Sequence, residues 1–178
     1  MNGITRIFLS DRAFLSLLLS SVEVYKLECL GILLGFRTKR LIVVEYAIPY
    51  QTAKRKFCEV TPNWKKELKV TSVLPELVHM QILGTFHSHP QFGEERGVAK
   101  LSDCDKDSLK SGNIEIVVAI NDKKKSFSWA ETKDGLAGTI GDYHVVIAGF
   151  YKRTSDQKIM NYRVVCPYAV GFDHALQE

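Results

Sequence analysis

Two histidines, His87 and His89, stand two residues apart in Gly84-Thr-Phe-His-Ser-His-Pro90, directly after the apolar run Met80-Gln-Ile-Leu83. On a β-strand, side chains at i and i+2 share a face, so this segment predicts two imidazoles side by side. Such a pair is part of a catalytic zinc site, which takes three protein ligands and keeps its fourth position open. Pro90 has no N–H to give a ladder and is expected to end the strand pairing. The best-placed third ligand is Asp105. In Leu101-Ser-Asp-Cys-Asp105, Ser102 reads as a helix N-cap and Asp105 as the third helical residue, where a carboxylate is favoured. Plain helix capping would explain the same two residues; the upstream His-x-His pair favours a ligand. Asp103 and Asp107 are neighbouring candidates expected to face solvent.

The elements that must hold these residues follow from hydrophobic spacing. Residues 4–9 read as a short strand, and Ser10-Asp11 as the cap of a helix to about Val24 with Phe14, Leu17, Leu18 and Val22 on one face. Leu27–Gly35 and Leu41–Ile48 predict a hairpin through Arg37–Arg40. A helix is expected from near Thr61, with a break before Pro75 and a second piece over Pro75–His79. Residues 90–101 read as a loop with two glycines, Ser102 opens a short helix to about Lys110, and Ile114–Ile120 with Ser126–Ala130 predict an antiparallel pair across Lys123–Lys125. Val145–Tyr151 and Met160–Val165 are two further strands. The fold class expected is mixed α/β, one sheet flanked by helices, in a single domain spanning 1–178.

Bulk properties narrow the classes. The chain has 178 residues, 46% hydrophobic and 25% charged, enough for one soluble globular core. No run reaches the roughly 18 apolar residues of a membrane span, and Ala13–Leu19 reads as a core helix without a cleavable site after it, so a cytoplasmic protein is expected. Four cysteines (Cys29, Cys58, Cys104, Cys166) form no Cys-x-x-Cys pair, which argues for reduced thiols. Net charge is +4, with Lys54–Lys56, Lys65-Lys66 and Lys123–Lys125 dispersed in a way that solvated loops explain as well as nucleic acid does.

Taken together, Glu28 before Gly31 and Gly35, then Gly84-Thr-Phe-His-Ser-His-Pro90, then Ser102-x-x-Asp105, resemble the motif of the JAMM/MPN+ zinc metalloprotease family. The resemblance covers roughly residues 4–130, with the metal-site core at about 22–130, and is closest to stand-alone prokaryotic or archaeal members. It implies the cytidine-deaminase-like MPN fold, a curved central sheet flanked by helices. It also implies one Zn²⁺ held by His87, His89 and Asp105, Glu28 as general base on a water, and Ser102 as hydrogen-bond donor to the oxyanion. Glu23 and Glu45 are the fallback bases. The implied substrate is the peptide or isopeptide bond after the C-terminus of a ubiquitin-like modifier or a sulfur-carrier protein, its tail added along a sheet edge near residues 90–105. Residues 49–75 match the family's substrate-recognition insertion.

Two departures are visible. The loop between His89 and Ser102 holds twelve residues, 90–101, and is longer than the family's. Thr85 stands where a Trp is common. Ser88, between the histidines, should point the opposite way. Among rivals, a cupin would use His87, His89, Glu94 and His144, but its glycine spacing is absent; a nucleotide deaminase needs His/Cys-x-Glu with Pro-Cys-x-x-Cys, also absent. A non-catalytic MPN-type scaffold is the alternative from another class, though every ligand is retained here. His79, His144 and His174 are expected to be ordinary histidines.

Overall fold

The structure, a computed structural model, describes residues 6–51, 54–56, 59–61, 63–77 and 80–172. Strand β1 (Arg6–Leu9) leads into helix α1 (Asp11–Glu23), whose first turn is capped by Ser10: its Oγ accepts the Ala13 N–H at 3.1 Å. Strands β2 (Leu30–Arg37) and β3 (Leu41–Pro49) form the expected hairpin, closed by Thr38, which accepts the Leu41 N–H at 2.9 Å. A small pair, β4 (Lys54–Lys56) and β5 (Glu59–Thr61), precedes helix α2 (Trp64–Leu77). The chain continues through β6 (Gln81–Pro90), α3 (Asp103–Ser108), β7 (Ile114–Asp122), β8 (Ala130–Thr132), β9 (Gly135–Ile140), β10 (Tyr143–Lys152), β11 (Ile159–Val165) and α4 (Pro167–Phe172).

The strands follow the order β11-β1-β3-β2-β6-β7-β10, and β10 pairs back onto β11, which closes a seven-stranded β-barrel; β9 and β8 extend from β10. This corrects the expected fold class. The mixed, curved sheet flanked by helices of the MPN type is not formed, because the register Gly149↔Tyr162 through Lys152↔Ile159 joins the two ends that an open sheet would leave free. Closure satisfies both edges of β10 and β11 and leaves no long unpaired strand there. Three pairings are parallel, β1–β11, β1–β3 and β6–β7, which also separates this barrel from an antiparallel cupin jelly roll.

Alternation along the strands builds the core. Ile114, Ile116, Val118 and Ile120 point one way, with Phe86, Val145, Ile147 and Val164, and α1 adds Phe14, Leu17 and Leu18 to the same cluster. Burial of each such side chain contributes about 1.5–3 kcal/mol.

Other boundaries also differ. Helix α2 runs on through Pro75 to Leu77, as one helix without the expected break. Strand β7 pairs with β6 and β10 rather than with residues 126–130, and Phe127 donates its N–H instead to Thr139 Oγ1 on β9. Residues 1–5, Cys58, Pro62, His79 and His174 lie outside the described residues. Among the described residues, no helix is long and apolar enough to cross a membrane.

Candidate metal centre

His87 and His89 leave β6 on the same face, while Phe86 and Ser88 turn to the other, as the period of a strand requires. A β-bulge prepares this segment: Leu33 pairs with Gly84 but Leu34 with Ile82, leaving Leu83 extra. Gly84 takes φ +154, and a Cβ there would stand 1.8 Å from the Ile114 carbonyl oxygen, so a larger residue would push β6 off β7.

The third donor comes from α3. The helix itself buries nothing, but Leu101 before it and Leu109 after it pack with Val117, Ala148 and Phe150, pinning both ends to the barrel. Ser102 caps it in a full capping box: its Oγ accepts the Asp105 N–H at 3.2 Å, and Asp105 Oδ2 accepts the Ser102 N–H at 2.7 Å. Asp105 Oδ2 then lies 3.5 Å from His87 Nε2 and 4.0 Å from His89 Nε2, and the two Nε2 atoms are 3.0 Å apart. His87, His89 and Asp105 form the group among the described residues that could hold a metal ion. The capping role and the ligand role of Asp105 therefore coexist in one side chain.

Each imidazole is oriented through its other nitrogen. His87 Nδ1 meets Glu115 Oε1 at 2.7 Å, and His89 Nδ1 meets the Val98 carbonyl at 2.9 Å. With Nδ1–H donating in both, the Nε2 lone pairs converge on one point beside Asp105, the arrangement that metal-binding histidines use. Glu115 was not foreseen from the sequence: Ile114-Glu-Ile-Val-Val is read as a core strand, and its one carboxylate in an otherwise buried run was the available signal.

Electrostatics separate the histidines. Burial opposes charging of His87, but the bonds to Asp105 and Glu115 override it and raise its pKa to about 10. His89 is pushed down from its ordinary value by burial and by the charge of His87. Burial would raise Asp105, yet His87 and Ser102 hold its carboxyl well below the usual range. Without a metal His87 thus carries one proton more than a neutral imidazole, on Nε2. A cation that takes both Nε2 lone pairs replaces it.

Glu28 and Ser102 line the same cavity of about 1200 Å³ as the three donors. Glu28 is set by its neighbours: the Cys29 N–H donates to Ser88 Oγ at 2.9 Å and the Ser88 N–H donates to the Cys29 carbonyl at 3.0 Å. Ser88 does point away from the ligands, as expected, and in doing so ties the segment bearing Glu28 to the strand bearing them. Leu30 and Ile32 follow Glu28 at alternate positions and line the same cavity, as do Leu68 and Thr71 of α2. Three other candidate carboxylates lie elsewhere: Asp103 is exposed and paired with Lys106 at 2.7 Å, Glu23 lines a separate shallow hollow with Pro49, and Glu94 is exposed. Of the cupin set, Glu94 and His144 are not in the metal group.

Pro90 still pairs with Ile120 as the last residue of β6, and the rest of the long loop, residues 91–101, holds the isolated bridge Phe92↔Glu95 and no strand. Asn121 donates Nδ2–H to the Gly97 carbonyl at 3.1 Å, and a Cβ on Gly97 would lie 1.9 Å from the His89 carbonyl oxygen. The loop is thus a strap laid against the ligand strand, and it supplies the carbonyl that orients His89.

No family model matches the chain, and neither does any curated protein. Among solved structures, the solution structure of protein DSY2949 from Desulfitobacterium hafniense aligns with a TM-score of 0.63. The alignment covers 90% of this chain and 92% of that one, at 16% sequence identity. The likeness is one of fold.

Proposed function

We propose that the chain is a zinc-dependent peptidase of the JAMM/MPN+ kind, with the hydrolytic centre His87, His89, Asp105, Glu28 and Ser102. The reading rests on the residues of the site, not on the shape of the barrel around them. The observation that carries it is the convergence of two Nε2 atoms and one carboxylate oxygen, all within 4.8 Å of one another, in a cavity also lined by Glu28. Two imidazoles and a carboxylate suit zinc, which accepts nitrogen and oxygen donors and is usual with three protein ligands in catalytic sites. Bound there, zinc would supply Lewis acidity, lowering the pKa of water towards about 7 and polarising a carbonyl.

The chain's own residues would do the rest. Glu28 takes the proton of the attacking water and passes it to the leaving amine. Ser102 Oγ accepts the Asp105 N–H, which leaves its hydroxyl proton free to be donated to the developing oxyanion. Leu30 and Ile32 line the cavity on the Glu28 side and would offer an extended peptide an apolar surface beside the donors. The substrate class that fits this reading is the peptide or isopeptide bond after the C-terminus of a ubiquitin-like modifier or a sulfur-carrier protein. A cytoplasmic setting belongs to the same reading.

The test is metal analysis of the purified protein together with incubation against ubiquitin-like fusions and isopeptide conjugates, with and without chelator. Chelator-sensitive cleavage at the modifier's C-terminus is expected, and Glu28→Gln should abolish it while metal content and folding persist. Undiminished turnover by Glu28→Gln would refute the base. Zinc binding without cleavage of any such bond would favour the scaffold reading.

A further inference from the structure

We propose that Glu115 is the positioning residue of the metal centre, holding His87 with Nδ1–H turned towards the barrel and Nε2 turned to the ion, and strengthening that nitrogen as a donor. The proposal deepens the metal reading of His87, His89 and Asp105 and rests on it; it does not depend on the peptidase chemistry.

The placement follows from register. In the parallel β6–β7 pair, Thr85 lies opposite Glu115 and His87 opposite Val117. The neighbours of Glu115, Ile114 and Ile116, enter the barrel core, which turns Glu115 onto the face carrying the histidines. It is 7% exposed there. A buried carboxylate is costly unless its oxygens are bonded, and both are: Oε1 meets His87 Nδ1 at 2.7 Å, and Oε2 accepts the Thr85 hydroxyl. Thr85 thus fixes the carboxylate, the carboxylate fixes the ring, and the ring aims Nε2 towards Asp105 at 3.5 Å. A second anion at this point serves no purpose in packing; beside a cation it is the partner that raises the basicity of an imidazole ligand.

The deciding experiment uses Glu115→Gln, which keeps the shape and the hydrogen-bonding oxygen but removes the charge. Zinc affinity is measured by competition with a chromophoric chelator, and the His87 Nδ1–H proton is followed by NMR in the zinc-loaded protein. About 10- to 100-fold weaker zinc binding is expected, with the Nδ1–H resonance moved upfield as its acceptor becomes neutral. Thr85→Val, which leaves the charge but frees it to swing, should give a smaller loss in the same direction. A folded Glu115→Gln protein with wild-type affinity and an unchanged Nδ1–H resonance overturns the role. Should Glu115→Gln not fold, Thr85→Val decides alone, and unchanged affinity there overturns it as well. Absence of zinc binding by the wild-type protein overturns the metal reading together with this one, whereas absence of peptidase activity leaves affinity and resonance to be read as stated.

Discussion

His87 and His89 are two residues apart on one strand, yet different parts of the molecule hold them. His87 is buried and answers to a carboxylate on the neighbouring strand, Glu115, in a register set by the barrel. His89 is less enclosed and answers to the Val98 carbonyl, on a loop laid down by Asn121 and Gly97. One half of the centre is therefore assembled whenever the barrel closes, and the other only when the strap is seated. The charges diverge too: His87 sits between two carboxylates and gathers the proton, while His89 is kept neutral by burial and by its neighbour.

The largest effect should come from emptying each half. His87→Ala, His89→Ala and Asp105→Ala are each expected to lose stoichiometric zinc. The metal-free proteins should differ: His87→Ala leaves Glu115 buried without its cationic partner, a loss of about 3–5 kcal/mol for one member of a buried pair. His89→Ala strips a loop carbonyl, which water can satisfy, and the Nε2 contact to His87, whose Nε2 still faces Asp105, so its destabilisation should be distinctly smaller. Denaturant melts of the two apo variants read this directly, and equal losses would break the distinction between the halves.

The pH response sharpens it. His87 in the folded, metal-free protein titrates at about 10 against 6.5 for the free side chain. A raised pKa stabilises the fold in full below pH 6.5, and this contribution is lost as pH climbs through about 10. Asp105 has the opposite sign: its lowered pKa contributes above 3.8 and is lost as the medium is acidified below that. The metal-free protein should accordingly melt at falling temperature between pH 7 and 10, whereas zinc loading, which removes the His87 proton, should flatten the curve. Zinc affinity should rise with pH over the same interval because binding releases that proton. A melting temperature of the metal-free protein that rises from pH 7 to 10 would contradict the proton's placement.

The two halves were unequally legible in the sequence. His-x-His and Ser-x-x-Asp are short patterns whose geometry is local, one strand period and one helical turn, so the ligands could be read before any fold was known. Glu115, 28 residues from His87 in sequence, meets it only through the β6–β7 register, which leaves no local trace. Barrel closure failed to show for the same reason: nothing in Val145–Tyr151 or Met160–Val165 announces that the last strands meet each other and β1. From sequence the strap is only a loop with two glycines, because Gly97 looks like any loop glycine until its distance from the His89 carbonyl is known.

The smallest expected effects fall on that strap. Asn121→Ala removes the bond to the Gly97 carbonyl and should cost about 1 kcal/mol of stability, the net worth of one such bond. Gly97→Ala acts more directly, since its Cβ would stand 1.9 Å from the His89 carbonyl oxygen and must push strap and strand apart. That movement draws the Val98 carbonyl off His89 Nδ1 while leaving Glu115 on His87. Zinc affinity should fall by a factor of several in Gly97→Ala, less than the loss from Glu115→Gln, and the His87 Nδ1–H resonance should stay where it is in the wild type. If that resonance moves with the strap, the two histidines are coupled through more than the ion they share, and the halves are one unit.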